Sequence, residues 1–135
     1  MARLILDTGV LVNAYRGRFA LTVIASSDNV AVPAVVVAEY LHGVLLTPDP
    51  DRAQRQRAFL REALTVAPVL DYTHEIAGEH AALLAHVQRN GTPRGAHDLL
   101  IAATARATNR IVLTTDSRAR FGDLPDVHAR LVATS

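Results

Sequence analysis

Four carboxylates in this chain stand where surface acids usually do not. Asp7 follows directly on the apolar run Leu4-Ile5-Leu6, and Asp116 follows Ile111-Val112-Leu113 with Thr114 and Thr115 between. Continuous apolar runs of this kind belong to central parallel strands covered on both faces. Two such strands in one sheet deliver both acids to the same carboxyl edge, where open α/β folds build their sites. Glu39 sits among Val36, Val37, Ala38, Tyr40 and Leu41, and Asp98 opens a helix that continues Leu99-Leu100-Ile101-Ala102-Ala103. An ionised carboxylate buried without a partner is very costly. The chain has no lysine, and the nearest arginines fall in loops, so a bound metal ion is the natural neutraliser. An all-oxygen donor set selects a hard cation, Mg²⁺ or Mn²⁺, over zinc. Each acid also has an ordinary reading: Asp7 as a helix N-cap, Asp98 as a complement to a helix dipole, Glu39 as solvent-facing, Asp116 as a turn residue. Their convergence is what separates the two.

Composition removes several rival chemistries. There is no cysteine, which excludes disulfides, thiolate metal sites and cysteine nucleophiles. Without lysine there is no P-loop and no Schiff base. None of the six histidines falls in an HExxH arrangement, and His97, beside Asp98, is expected to point off the other side of its helix. A net charge of +1 is no strong nucleic-acid footprint. No apolar stretch is long enough to span a bilayer and no signal-peptide layout opens the chain, so it reads as soluble and cytoplasmic. At 135 residues it is expected to form one domain, over 1–135.

The elements that position the acids alternate between strand and helix. Val10, Leu11, Ala14 and Tyr15 recur at helical spacing after Asp7, and a short helix is expected over Phe19–Ser27, packed through Phe19, Leu21, Val23 and Ile24. Val30–Val32 reads as a strand, Pro33 as a first-turn proline and Ala34–Leu46 as the helix carrying Glu39. Thr47-Pro48-Asp49-Pro50 is a stop, after which Asp51 is expected to cap a helix over Arg52–Leu64. Its arginines, Arg52, Arg55, Arg57 and Arg61, spread around the axis as a solvated face would. Val66–Leu70 reads as a third strand. Thr73 is expected to cap a helix to about Arg89, with an apolar stripe of Ala77, His80, Ala81, Leu84 and Val87, ended by Asn90-Gly91. A helix over His97–Thr108, a buried strand over Ile111–Thr114 and an edge strand over Ala129–Val132 complete the chain. The alternation predicts a three-layer α/β/α sandwich on a mostly parallel sheet.

The chain resembles PIN-domain ribonucleases, and most closely the VapC toxins of bacterial VapBC toxin–antitoxin pairs. Leu6-Asp7-Thr8, Ala38-Glu39-Tyr40-Leu41-His42-Gly43, the segment Ala96–Ala105 around Asp98, and Leu113-Thr114-Thr115-Asp116 with Phe121 and Leu124-Pro125 carry the likeness in order. The resemblance implies a Mg²⁺- or Mn²⁺-dependent endoribonuclease acting on cellular RNA. It also implies a homodimer held silent by a cognate VapB-type antitoxin, in a heterotetramer or larger assembly.

On that basis Asp7, Asp98 and Asp116 would hold the ion, and Glu39 would be a ligand or orient the attacking water. Thr8 and Thr115 are candidates to support them by hydrogen bonding. Arg16, Arg18, Arg94, Arg118 and Arg120 are candidates to contact the RNA backbone. The alternatives are a housekeeping metal-dependent nuclease or phosphatase on the same sheet, and a non-catalytic RNA- or protein-binding module.

Overall fold

In the computed structural model, which describes residues 1–132, a five-stranded parallel sheet is flanked by helices in a three-layer α/β/α arrangement. The strands are β1 (Arg3–Leu6), β2 (Asn29–Pro33), β3 (Val69–Leu70), β4 (Ile111–Thr114) and β5 (Ala129–Leu131). Their order is β3-β2-β1-β4-β5, and every pairing is parallel. The helices are α1 (Thr8–Tyr15), α2 (Leu21–Ser27), α3 (Ala34–Leu45), α4 (Pro50–Val66), α5 (His74–Asn90) and α6 (Ala96–Thr108).

The centre of the sheet follows from the two apolar runs. Leu4, Ile5 and Leu6 are 1%, 0% and 0% exposed, so β1 is covered on both faces as its sequence demands. Burying each such side chain contributes about 1.5–3 kcal/mol. β4 pairs with β1 in the register Leu4–Ile111, Ile5–Val112, Leu6–Leu113. That register sets Asp7 beside Thr114, and the Asp7 amide donates to the Leu113 carbonyl at 3.0 Å.

Several boundaries differ from those expected. Asp49, not Asp51, caps α4: its Oδ1 accepts from the Asp51 amide at 3.1 Å, with Pro50 in the first turn where a missing N–H costs nothing. The same helix runs on through Val66, because the Ala67 amide still reaches the Ala63 carbonyl at 2.9 Å. That leaves β3 only two residues. α2 starts at Leu21, and Val23 faces solvent at 67% exposure. Thr73 and Gly91 cap α5 as expected, Gly91 at a left-handed φ of 61°.

The buried face of α5 is turned from the expected stripe. Ile76 and Leu83 are buried, whereas Leu84 is 47% exposed. The buried stripe runs instead through the two large aliphatic residues Ile76 and Leu83, and beside it Glu79 pairs with Arg106 of α6 at 2.8 Å. Among the described residues no helix is long and apolar enough to cross a membrane. The turned face has a measurable consequence: Leu83→Ala should cost about 2–4 kcal/mol in urea unfolding, and Leu84→Ala less than about 1 kcal/mol. Equal costs would restore the sequence-derived stripe.

Candidate active site

Four elements bring their acids to the carboxyl edge of the sheet. At the end of β1, Asp7 adopts an extended backbone and caps α1, its Oδ1 accepting from the Thr8 amide at 2.7 Å. Its Oδ2 accepts from the Thr114 hydroxyl at 2.8 Å. The same Thr114 oxygen accepts the Asp116 amide at 3.0 Å, so one buried hydroxyl ties the ends of β1 and β4 together. From α3, Glu39 reaches the same edge, and its Oε1 accepts from the Thr8 hydroxyl at 2.8 Å. Asp98 arrives from the first turn of α6, where a negative charge also complements the helix dipole.

The charges feel one another. Burial raises the Asp7 carboxyl above its ordinary value, opposed by the Thr114 hydroxyl and the Thr8 amide and reinforced by Glu39 and Asp116. Asp98 is also raised, first by burial and then by the like charges of Asp7, Glu39 and Asp116. Arg94 alone pulls it the other way. The electrostatics therefore join all four acids in one cluster.

Asp116 is the most exposed of the four; its Oδ1 turns outward to cap a short 3₁₀ turn through the Arg118 amide at 2.9 Å.

Two side chains lie elsewhere than expected. His97 does not point away: its Nδ1 stands 3.3 Å from Glu39 Oε2, at the mouth of α6 where that helix packs on α3. Thr115, one of the two threonines expected to support the acids, faces Gly9 and the Asn13 amide nitrogen, the latter at 3.5 Å. A Cβ on Gly9 would run into the Thr115 hydroxyl, so glycine is what lets the start of α1 close on the end of β4. Thr114 is the hydroxyl that sequence reasoning missed. Its signal was a polar residue closing an otherwise apolar strand.

The arginines divide. Arg94 Nη1 donates to the carbonyls of Ala119 and Arg120 at 2.6 and 2.9 Å, fastening the loop beyond β4 beside the acids. Arg120 pairs with Asp123 at 2.7 Å, and Arg118 is 92% exposed, 3.5 Å from Asp116. Arg16 lines a cleft next to Glu39, and Arg18 lies in the turn after α1. Arg52, expected on a solvated face, lines the same cleft as Arg16.

The donor chemistry fits a hard divalent cation: four acidic groups, with the Asp7 and Asp98 carboxyls raised by burial and by their neighbours' like charge. As they stand, no three histidine, aspartate or glutamate side chains among the described residues close round one point. Asp7 has both carboxylate oxygens bonded to neighbours, and Glu39 and Asp116 have one each. A carboxylate oxygen carries two lone pairs, so these bonds leave room for an ion.

Fold and site together define a parallel α/β domain with an acidic centre at the carboxyl edge of its sheet. The chain belongs to the PIN-domain family, whose model matches residues 4–125. A protein named Ribonuclease VapC from Rickettsia bellii (strain RML369-C) is 26% identical over 129 residues, covering 96% of each chain. The crystal structure of VapBC2 from Rickettsia felis, bound to a DNA fragment from their promoter, contains a chain that superposes with a TM-score of 0.85 at 21% identity. That match covers 96% of this chain and 98% of the other. VapBC-5 from Mycobacterium tuberculosis gives a TM-score of 0.75 at 24% identity, over 99% and 100% of the two chains.

The raised carboxyls make a prediction about stability. Asp98 binds its proton at higher pH when folded than when unfolded. Its contribution is therefore full in acid, below the unfolded value, and is lost as pH rises through the raised folded value. In EDTA at about pH 7.5, Asp98→Asn should melt above wild type, and the gap should close near about pH 3. Identical melting curves at both pH values would show that the cluster carries no repulsion.

Proposed function

We propose that this chain is the toxin of a type II toxin–antitoxin pair, a Mg²⁺- or Mn²⁺-dependent endoribonuclease silenced by a VapB-type antitoxin. The observation that carries the reading is the gathering of Asp7, Glu39, Asp98 and Asp116 from four elements at one sheet edge, where like charge raises both Asp7 and Asp98. The likeness to Ribonuclease VapC along 96% of the chain supports the substrate class. The VapBC structures support the antitoxin partner and larger assemblies with it.

Asp7, Asp98 and Asp116 would hold the ion, and Glu39 would be a further ligand or orient the attacking water. The ion, when bound, supplies a water of lowered pKa and positive charge against the scissile phosphate. Thr114 fixes one Asp7 oxygen at 2.8 Å, so that carboxylate presents a defined direction. Thr8 does the same for one Glu39 oxygen, also at 2.8 Å, and His97 Nδ1 stands 3.3 Å from the other. The exposed guanidinium of Arg118, at the rim beside Asp116, is placed to meet RNA phosphates.

Expression from a tight promoter should arrest growth for wild type and not for Asp98→Ala. Purified wild-type protein should cut total RNA when Mn²⁺ is added and stop when EDTA is added, and Asp98→Asn should lose at least about 100-fold in rate. Purified protein that leaves RNA intact with Mn²⁺ present would overturn the nuclease reading. Thr114→Val, which keeps the shape and removes the hydroxyl, should weaken Mn²⁺ affinity by about 10- to 100-fold, read as the cation concentration that raises the melting temperature. Unchanged affinity would reduce Thr114 to a packing residue.

A further inference from the structure

A polyanion does not settle unaided on a centre made of Asp7, Glu39, Asp98 and Asp116, because four carboxylates outweigh a single divalent cation. Positive charge beside that centre is what lets an RNA strand reach it. Beyond β4 the guanidiniums are already engaged. Arg94 donates to the Ala119 and Arg120 carbonyls, Arg120 pairs with Asp123, and Arg118 lies 3.5 Å from Asp116. The other flank differs. There Glu39 borders a cleft of about 290 Å³ between α1, α3 and α4, and Arg16 and Arg52 line the same cleft. Both arginines are exposed, and neither guanidinium has a hydrogen bond or ion pair among the described residues.

Arg52 is also set against its own helix. It falls in the first turn of α4, where the helix dipole disfavours a cation. Asp49 and Asp51 are near it in sequence, yet Asp49 turns to the Asp51 amide and neither pairs with Arg52. A cation kept there without a partner is accounted for by an anion from outside the chain. Val12 and Val44 also line the cleft, so a charge pair formed in it is screened less than one on open surface. We propose that Arg16 and Arg52 clamp a backbone phosphate of the substrate strand in this cleft, beside the phosphate that is cut. The proposal rests on the ribonuclease reading above and adds the flank on which the strand is held. Guanidiniums meet phosphate oxygens in paired hydrogen bonds and read no base, so the clamp serves every sequence alike. Neither arginine takes part in the chemistry.

The test measures binding, which does not depend on turnover. Fluorescent single-stranded octamers of adenosine and of uridine are titrated with the protein in EDTA across a series of salt concentrations. Each phosphate contact on a single strand contributes about −0.7 to the slope of log K against log salt. The double variant Arg16→Gln, Arg52→Gln should therefore lose about 1.4 in steepness, and at least about 10-fold in affinity at low salt, on both octamers. Arg57→Gln, which removes an exposed charge from α4 outside the cleft, should leave both unchanged. Gly43→Glu adds a negative charge to the cleft lining instead. A Cβ at Gly43 meets nothing within 4 Å, and a helix gains by losing glycine. This variant should melt no lower than wild type and bind both octamers at least about 10-fold more weakly. An unchanged slope in the double variant, an equal loss in Arg57→Gln, wild-type affinity in Gly43→Glu, or no binding of either octamer would each overturn the proposal. So would a double variant that loses affinity only for the antitoxin, which would make the cleft a protein-docking surface. Cleavage of the same octamers by wild type with Mn²⁺ reports separately on the ribonuclease reading. Cleavage beside an unchanged slope in the double variant would keep that reading and remove the clamp.

Discussion

Like charge held together without adequate counter-charge is the constraint on which the rest of this structure turns. Asp7 and Asp98 are both half-buried and both raised by their acidic neighbours, and Arg94 is the one cation that acts against the repulsion at Asp98. Left to themselves, carboxylates in that state would separate or drive the chain apart. Two things prevent it. The β1–β4 register locks the ends of two fully buried strands side by side, so the apolar core fixes where the backbone must go. Hydrogen bonds from the Thr8 amide and the Thr114 hydroxyl then favour the ionised form of Asp7 that burial disfavours. The core supplies stability, and the sheet edge uses some of it to keep the acids charged and close.

Thr114 is the point at which the two demands meet. As a strand residue it is buried at 3% exposure and must satisfy its hydroxyl. It does so by donating to Asp7 and accepting from the Asp116 amide, which sets the spacing between the first and the last of the four clustered acids. Arg94 plays the matching part outside the sheet. Its hold on the Ala119 and Ala119-adjacent Arg120 carbonyls keeps the loop after β4 from swinging clear of Asp98.

What the sequence made legible was whatever depends on local pattern. The runs Leu4–Leu6 and Ile111–Leu113 announced buried parallel strands, and the acids that follow them announced a site, because no neighbouring element is needed to read either. Thr73 and Gly91 were equally readable as caps. What stayed hidden depends on partners distant in the chain. The face of α5 is set by its packing on α6, where Ile76 and Leu83 are buried and Glu79 meets Arg106. His97 seemed to point outward on its own helical wheel, but α3 packs beside the mouth of α6 and brings Glu39 to it. Arg52 looked like one of several solvated arginines until the turn between α3 and α4 folded it over the cleft beside Arg16.

The contact between Gly9 and Thr115 shows how narrow the tolerances at this edge are. The space a methyl group would need at residue 9 is already filled by the Thr115 hydroxyl, one residue before Asp116. A side chain at residue 9 must therefore displace the Thr115 hydroxyl from its place beside Asn13, a disturbance that touches no acid but falls one residue from Asp116. Helix start and strand end are thus fitted to each other through one hydroxyl, and a smaller residue at 115 is what would make room for a larger one at 9.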